Sequence, residues 1–226
     1  MAVTKTIVCL ANSRKLSGRC LAGKRLSGST VGEWIRPVSA RPSEEVSERD
    51  RAYQDGSDPR VLDIIDVPLI QPKPKTYQSE NWLLDPETYW VRKGAFSYSK
   101  LATVADTPSS LWINGFKTYH GANDRVPEAE ADKLTTSLYL LDLKSISFSV
   151  FAPGANFGNP KRRVHALFDY AGAHYALWVT DPAIEREFLA QDDGTYDEGT
   201  CFVTVSLGER DKGFCYKLVA AVIRPS

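Results

Sequence analysis

The chain repeats itself at a spacing of 144 residues, and this internal duplication restricts its fold more than any other feature. Residues 6–23 (TIVCLANSRKLSGRCLAG) align with residues 150–167 (VFAPGANFGNPKRRVHAL), and the alignment continues without a gap into a tryptophan match. The identical positions include Asn12 with Asn156, Arg19 with Arg163, and Trp34 with Trp178. A repeat of this kind predicts two copies of one structural unit. Because the identities are few, a chance alignment of two unrelated strand-rich halves stays open.

The order of predicted elements is the same in both halves. In the first half, strand-like runs at 6–11, 18–26 and 32–39 precede a helix at 43–53 with Ser43 as N-cap, and strands at 61–70 and 80–84 follow. In the second half, strand-like runs at 145–152, 162–170 and 174–182 precede a helix capped by Asp181 with Pro182 at its first position, and strands at 199–207 and 214–223 follow. Three strands, a helix and two strands is the order of the OB fold, a five-stranded Greek-key barrel. The predicted fold class is mostly β, with two OB-like five-stranded barrels and short helices.

Residues 85–144 fall outside the repeat and are rich in aromatic side chains. We predict a helical and aromatic connector that packs against the barrels, because so many large apolar groups are unfavourable in a loose linker. The predicted divisions are therefore a first barrel at 1–84, the connector at 85–144 and a second barrel at 145–226. The aromatic residues of the connector are Tyr89, Trp90, Phe96, Tyr98, Trp112 and Tyr119.

Composition narrows the setting of the protein. The 28 basic and 28 acidic residues cancel, so only a local basic surface could attract a polyanion. Apolar runs are too short for a signal peptide or a membrane span, which predicts a cytoplasmic protein with no membrane partner. The four cysteines form no CxxC pair, so we expect reduced and mostly buried thiols, no metal and no cofactor. The cysteines are Cys9, Cys20, Cys201 and Cys215.

Several longer strings identify the chain as similar to the bacterial dual OB-containing domain family. They are TIVCLANSRKLSGRCLAG, EWIRPVSARPSEEVS, VLDIIDVPL, SVFAPGANFGNPKRR and ALWVTDP. The resemblance covers nearly the whole chain, from Lys5 to about Pro225. It implies two OB barrels and a nucleic-acid-binding or nucleic-acid-sensing role. The setting that it implies is a prokaryotic conflict or repair system. It implies no catalytic residue.

An OB barrel commonly binds its ligand on strands 2 and 3, between the loops that join strands 1–2 and 4–5. In this chain those loops are predicted to carry basic pairs in both halves. The pairs are Arg14 and Lys15, Lys73 and Lys75, Lys161 and Arg162, and Arg210 and Lys212. Exposed loops often hold Lys and Arg for solubility alone, so the pairs favour a polyanionic ligand without requiring one.

Strand alternation adds side chains to the same predicted surface. If the aliphatic residues of strands 2 and 3 line the barrels, then Trp34, Arg36, Arg163, His165 and Trp178 point outward. An aromatic plate beside a cation is what single-stranded nucleic acid needs. The full predicted nucleic-acid-binding set is Arg14, Lys15, Arg19, Trp34, Arg36, Lys73, Lys75, Lys161, Arg162, Arg163, His165 and Trp178. Each outward Trp could instead be packed by another part of the chain.

Signatures of common enzymes are missing, including the Walker, Rossmann, zincin and nucleophile-elbow motifs. His120 or His165 could act in acid–base chemistry, and Asp63, Asp66 or the acids of 192–198 could hold a metal, but both are weaker readings. The sequence therefore favours a module that binds single-stranded or structured RNA or DNA over an enzyme, and leaves an enzymatic role open. A protein-interaction scaffold is the first alternative, and a nuclease or nucleotide-processing enzyme is the second.

Overall fold

The computed structural model describes residues 3–225, and these form two compact units. The first unit runs to Val104 and includes Thr135–Ser137; the second comprises Ala105–Leu134 and the residues from Leu138 onward. Residues 85–144, the predicted connector, are thus shared between the two units. That residues 85–144 form a separate connecting segment stays a prediction.

The first unit is a five-stranded OB barrel with one added strand. Its sheet runs β1-β2-β3-β5-β4 and closes because β4 also pairs with β1, while β6 extends the sheet beyond β4. The pairing of β3 with β5 is parallel, as the Greek-key path of this fold requires. Its strands are β1 (Val3–Lys15), β2 (Gly18–Ser27), β3 (Thr30–Val38), β4 (Asp63–Pro72), β5 (Asn81–Leu84) and β6 (Val91–Ala95).

Strand β1 closes the barrel by bending. Its first part pairs with β4 and its second part with β2, and a bulge lies between Cys9 and Ala11. The bend brings Val8 so close to β2 that a Cβ added to Gly23 would lie 2.2 Å from the Val8 carbonyl oxygen. Glycine at position 23 therefore permits the closure. Ile7, Leu21, Ile35 and Ile65 fill the interior.

The second unit has the same strand order with a broken first strand. Strands β9, β10, β11, β14 and β13 are neighbours in that order, and β11 pairs with β14 in parallel. Strand β13 then pairs with β8, which leads directly into β9, so β8 and β9 together take the place of β1. Strands β12 and β7 add to β9 and β14. The strands are β7 (Arg125–Pro127), β8 (Leu138–Leu143), β9 (Ile146–Phe151), β10 (Arg163–Tyr170), β11 (Ala173–Val179), β12 (Gly194–Glu198), β13 (Cys201–Asp211) and β14 (Phe214–Ile223).

Helices are short, and each barrel has one between its third and fourth barrel strands. Helix α1 (Glu48–Arg51) is a single turn capped by Ser47, whereas the sequence predicted a longer helix from Ser43. Helix α3 (Pro182–Leu189) begins after Asp181 as predicted, and Asp181 accepts hydrogen bonds from Ala183 N and Ile184 N. Its Phe188 stacks on the inward Phe148 of β9, with ring centroids 4.4 Å apart.

Two of the remaining helical pieces lie in the predicted connector. They are α2 (Glu128–Ala131) and a 3-10 turn at Tyr98–Thr103, and a second 3-10 turn lies in the β9–β10 loop at Ala155–Phe157. None of these helices, nor any other within residues 3–225, is long and apolar enough to cross a membrane.

The cysteines lie within the strands, as predicted, and none of the four forms a disulfide. Cys9, Cys201 and Cys215 are buried, and Cys20 is half-buried. Burial raises the pKa of the Cys9 thiol to about 12, with Asp63 adding to the effect. Cys9 is therefore a packing residue, because the nucleophilic form of cysteine is the thiolate.

Candidate nucleic-acid interface

The outward surface of β9, β10 and β11 carries an aromatic cluster with one cation. Cross-strand register places Arg163 opposite Phe151, and His165 opposite both Ser149 and Trp178. Because side chains alternate along a strand, these residues share the face opposite the buried Val150, Val164 and Leu177. We call Phe151, Arg163, His165 and Trp178 the second-barrel face.

Close ring contacts hold this face together. The Arg163 guanidinium carbon lies 3.9 Å from the centroid of the Trp178 ring, within the range of a cation–π interaction. Trp178 stacks on Phe151 with 5.8 Å between ring centroids and 29° between planes. The face therefore presents a half-buried indole with a guanidinium fixed upon it.

His165 is the buried member of the second-barrel face. It is only 2% exposed, its ring centroid is 3.5 Å from that of Trp178, and Phe151 meets it edge-on. Burial lowers the pKa of His165 to about 4, and Arg163 and His120 add to the effect. At neutral pH its ring is uncharged, so a direct contact with phosphate would require Trp178 or Phe151 to move.

The buried imidazole makes the stability of the second unit depend on pH. Between pH 4 and about 6.5 the unfolded chain holds a proton on His165 that the folded chain does not, so the free energy of unfolding rises with pH through this window. We expect acidification from pH 7 to pH 4 to remove up to about 3 kcal/mol through this residue. An NMR titration of the His165 ring should show a midpoint near 4, and His165→Leu should flatten the stability profile. His174→Gln, at an exposed ring, is the control; a His165 midpoint near 6.5 would contradict the assignment.

The second unit also has two strongly exposed aromatic rings outside its strands. Tyr119 is 94% exposed and contacts His120, which in turn contacts Phe151 with 5.2 Å between ring centroids. Phe157 is 87% exposed, in the β9–β10 loop that corresponds to the ligand-binding loop between strands 1 and 2 of an OB barrel. Sequence reasoning included none of Phe151, Tyr119 and Phe157 in the candidate set. Phe151 was detectable from the alternation in SISFSVF, whereas the other two lie in irregular segments without periodicity.

The predicted basic loop residues of the second unit, Lys161 and Arg162, differ in their exposure and in their side-chain contacts. Lys161 is exposed. Arg162 binds Asp193 at 2.6 Å and the carbonyl oxygens of Leu189 and Gln191, so its guanidinium fastens the loop to the end of α3. Arg162 is therefore less available to a ligand than its position in the sequence predicted.

Three of the six predicted cations of the first unit have acidic partners. Arg36 is buried, with its Nη2 3.0 Å from Glu80 Oε1 and 2.8 Å from Ser137 Oγ. Lys73 and Lys75 both bind the carboxylate of Glu44, at 2.9 and 3.3 Å. Burial alone would raise the pKa of Glu44, but the two lysines outweigh burial and lower it.

The other predicted residues of the first unit lie nearer to solvent. Trp34 is half-buried on β3, with Lys24 Nζ 5.4 Å from its ring centroid, and Arg19 is half-buried on β2. Arg14 is exposed and Lys15 half-buried at the end of β1, before the exposed Leu16. Both cations therefore lie on the paired strand and not in the β1–β2 loop, where the sequence had predicted them. The structure thus groups Arg163, His165 and Trp178 of the predicted set tightly on the second barrel. The first unit also holds a cation over an indole, with Lys5 Nζ 4.1 Å from the centroid of the Trp82 ring, at residues outside the predicted set.

A family model for the dual OB-containing domain matches residues 5–222. The chain belongs to this family. The match spans both barrels and agrees with the closed strand order of each. No curated protein and no solved structure gives a significant match to the chain.

Carboxylates, histidines and cysteines are the side chains that could bind a metal ion in this chain. Among residues 3–225, no group of three or more His, Cys, Asp or Glu side chains is placed to hold a metal ion. Asp63 instead accepts hydrogen bonds from the Tyr53 hydroxyl, Arg92 Nε and the backbone N–H of Arg60.

Proposed function

We propose that this dual OB protein binds single-stranded or structured RNA or DNA through the second-barrel face. The observation that carries the proposal is the guanidinium of Arg163 resting on the ring of Trp178 at 3.9 Å, on the strands that OB barrels commonly use for ligands. A guanidinium so placed can contact a phosphate while the ring edge and Phe151 meet a base. The zero net charge of the chain is compatible with this, because affinity depends on local cations.

The cations proposed to support the face are those with solvent access. In the second unit this is Lys161, with Arg162 and His165 contributing indirectly through the loop and through Trp178. Separately from that face, Arg14, Lys15, Arg19 and Trp34 stay candidates for ligand contacts of the first unit itself, whereas Arg36, Lys73 and Lys75 would first have to leave their acidic partners.

The alternatives have less support from the geometry. A protein-interaction scaffold would use the same exposed rings, but a cation fixed on an aromatic plate suits a polyanion better. An enzyme would need a histidine beside a carboxylate in an accessible pocket, whereas His165 is only 2% exposed and both His165 and His120 pack against the ring of Phe151. The cytoplasmic location and the setting in a prokaryotic conflict or repair system stay predictions.

Fluorescence anisotropy with labelled single-stranded RNA, single-stranded DNA and duplex DNA tests the proposal. We expect binding at low salt whose logarithmic affinity falls linearly with the logarithm of salt concentration, by about 0.7 per phosphate contact for a single strand. Absence of binding to every oligonucleotide at low salt and high micromolar protein would overturn the proposal and favour the scaffold alternative.

A further inference from the structure

In the second unit, residues 115–124 form an irregular segment, which we call the arm, and this segment exposes a tyrosine side chain to solvent. Tyr119 lies within it and is the most exposed large apolar side chain in the described part of the chain. The arm is not one of the barrel strands, and single exposed apolar residues are common on protein surfaces. The way the arm is bonded distinguishes Tyr119 from such incidental exposure.

A buried aspartate organises the arm. Asp124 is 1% exposed, and its carboxylate accepts hydrogen bonds from the backbone N–H and the hydroxyl of Thr118, at 2.7 and 2.5 Å. The Thr118 hydroxyl oxygen in turn accepts from the backbone N–H of Gly121 at 3.1 Å. A Cβ added to Gly121 would lie 2.0 Å from Asp124 Oδ2, so the turn that carries Tyr119 leaves no room for another residue there.

The arm is also fixed to the barrel at both ends. Asn123 bonds both Gly115 N and the His174 carbonyl oxygen, and Ala122 pairs with Ala176 of β11 in a short ladder. Just before the arm, the buried Lys217 donates from Nζ to the Ile113 carbonyl oxygen and to Asn114 Oδ1, at 2.8 and 3.0 Å. Tyr119 is therefore presented by a preorganised turn, which reduces the entropy lost when a ligand binds.

Ring contacts join the arm to the second-barrel face. Tyr119 meets His120 edge-on at 4.8 Å, and His120 packs on Phe151. His120 Nε2 also lies 3.1 Å from the Pro153 carbonyl oxygen at the base of the β9–β10 loop. Lys117, next to the turn, is exposed and adds a positive charge.

We propose that Tyr119 stacks on an unpaired base of a single strand whose adjoining nucleotide lies against Trp178 and Arg163. This inference rests on the proposed function and specifies its ligand: a duplex offers no unpaired base, so the protein prefers single strands to duplexes of the same sequence. The exposed Lys117 of the arm and Arg163 on the Trp178 ring favour a strand of nucleic acid over an apolar protein partner at this site.

The test compares Tyr119→Ala and Tyr119→Phe with wild type, using single-stranded and duplex forms of one sequence. We expect Tyr119→Ala to weaken single-strand binding roughly 5- to 150-fold at every salt concentration, the range of one base–aromatic stack. Tyr119→Phe keeps the ring and should stay within about 2-fold of wild type. Tyr89→Ala, at a ring 58% exposed in the first unit, is the matched control. Oligonucleotides with abasic sites should bind wild type more weakly and bind Tyr119→Ala with little further loss.

The outcomes separate this inference from the proposed function. If Tyr119→Ala binds single strands as wild type does while Trp178→Ala is weakened, the inference is overturned and the proposed function stands. Equal weakening for single strand and duplex also overturns it. If the wild-type protein binds no oligonucleotide, both this inference and the proposed function fail. A pull-down that compares the wild-type protein with Tyr119→Ala would then test for a protein partner. Unchanged melting temperatures confirm that the variants are folded.

Discussion

Replacing Arg36 with alanine should lower the free energy of unfolding of the first unit by about 3–5 kcal/mol. Arg36 and Glu80 are 4% and 5% exposed, so removing the guanidinium leaves a carboxylate buried without its counter-charge. The pair lies beside the parallel contact of β3 with β5, where the Arg36 backbone N–H also bonds the Glu80 carbonyl oxygen at 2.9 Å. Urea denaturation followed by circular dichroism measures the loss.

A double variant makes this prediction sharper. Arg36 Nε and Glu80 Oε2 have no hydrogen-bond partner within residues 3–225, so the pair is incompletely satisfied. Replacing both residues, as Arg36→Met with Glu80→Leu, should therefore cost less stability than Arg36→Ala alone. Arg14→Ala, at an exposed cation, should change stability by less than about 0.5 kcal/mol. An Arg36→Ala variant as stable as Arg14→Ala would contradict the stabilising role of the Arg36–Glu80 pair. Arg36 would then again be a candidate ligand contact.

Much of the fold was predictable because local patterns and the repeat agreed. The 144-residue register matched β2 with β10 and β3 with β11, and the predicted strand, helix and strand order is that of both barrels. The helix boundary in the first half was wrong because Ser47, not Ser43, makes the cap: Ser47 and Asp50 form a reciprocal capping box. Strand β12 was missed because its acidic residues resemble a loop, and it forms by pairing along the edge of β9.

Alternation along strands predicted faces but not what covers them. It placed Arg163, His165 and Trp178 on one side, and the register of β10 with β11 agrees. The same rule put Arg36 outward, yet its burial depends on Glu80 and Ser137, 44 and 101 residues away along the chain. Local periodicity cannot reveal contacts between residues so far apart along the chain. It also cannot reveal the turn that exposes Tyr119.

The largest loss of binding affinity is expected when the guanidinium of Arg163 and the indole of Trp178 are removed together. Trp178→Ala should weaken single-strand binding by about 1–3 kcal/mol at every salt concentration, because stacking is insensitive to salt. Arg163→Ala should instead lower the slope of the salt dependence by about 0.7, the share of one phosphate contact. Because Arg163 rests on Trp178, the double variant should lose less than the sum of the two single losses.

Trp34→Ala provides the comparison within the chain, since Trp34 aligns with Trp178 in the repeat. We expect a smaller loss for Trp34→Ala, because the cation near its ring, Lys24, is buried and donates to the Val104 carbonyl oxygen at 2.6 Å. Trp178→Phe, which keeps an aromatic plate, should retain most of the affinity, and circular dichroism should verify that each variant is folded. A large loss with Trp34→Ala and none with Trp178→Ala would move the interface to the first barrel, where Arg14, Lys15 and Arg19 would be the cations to test.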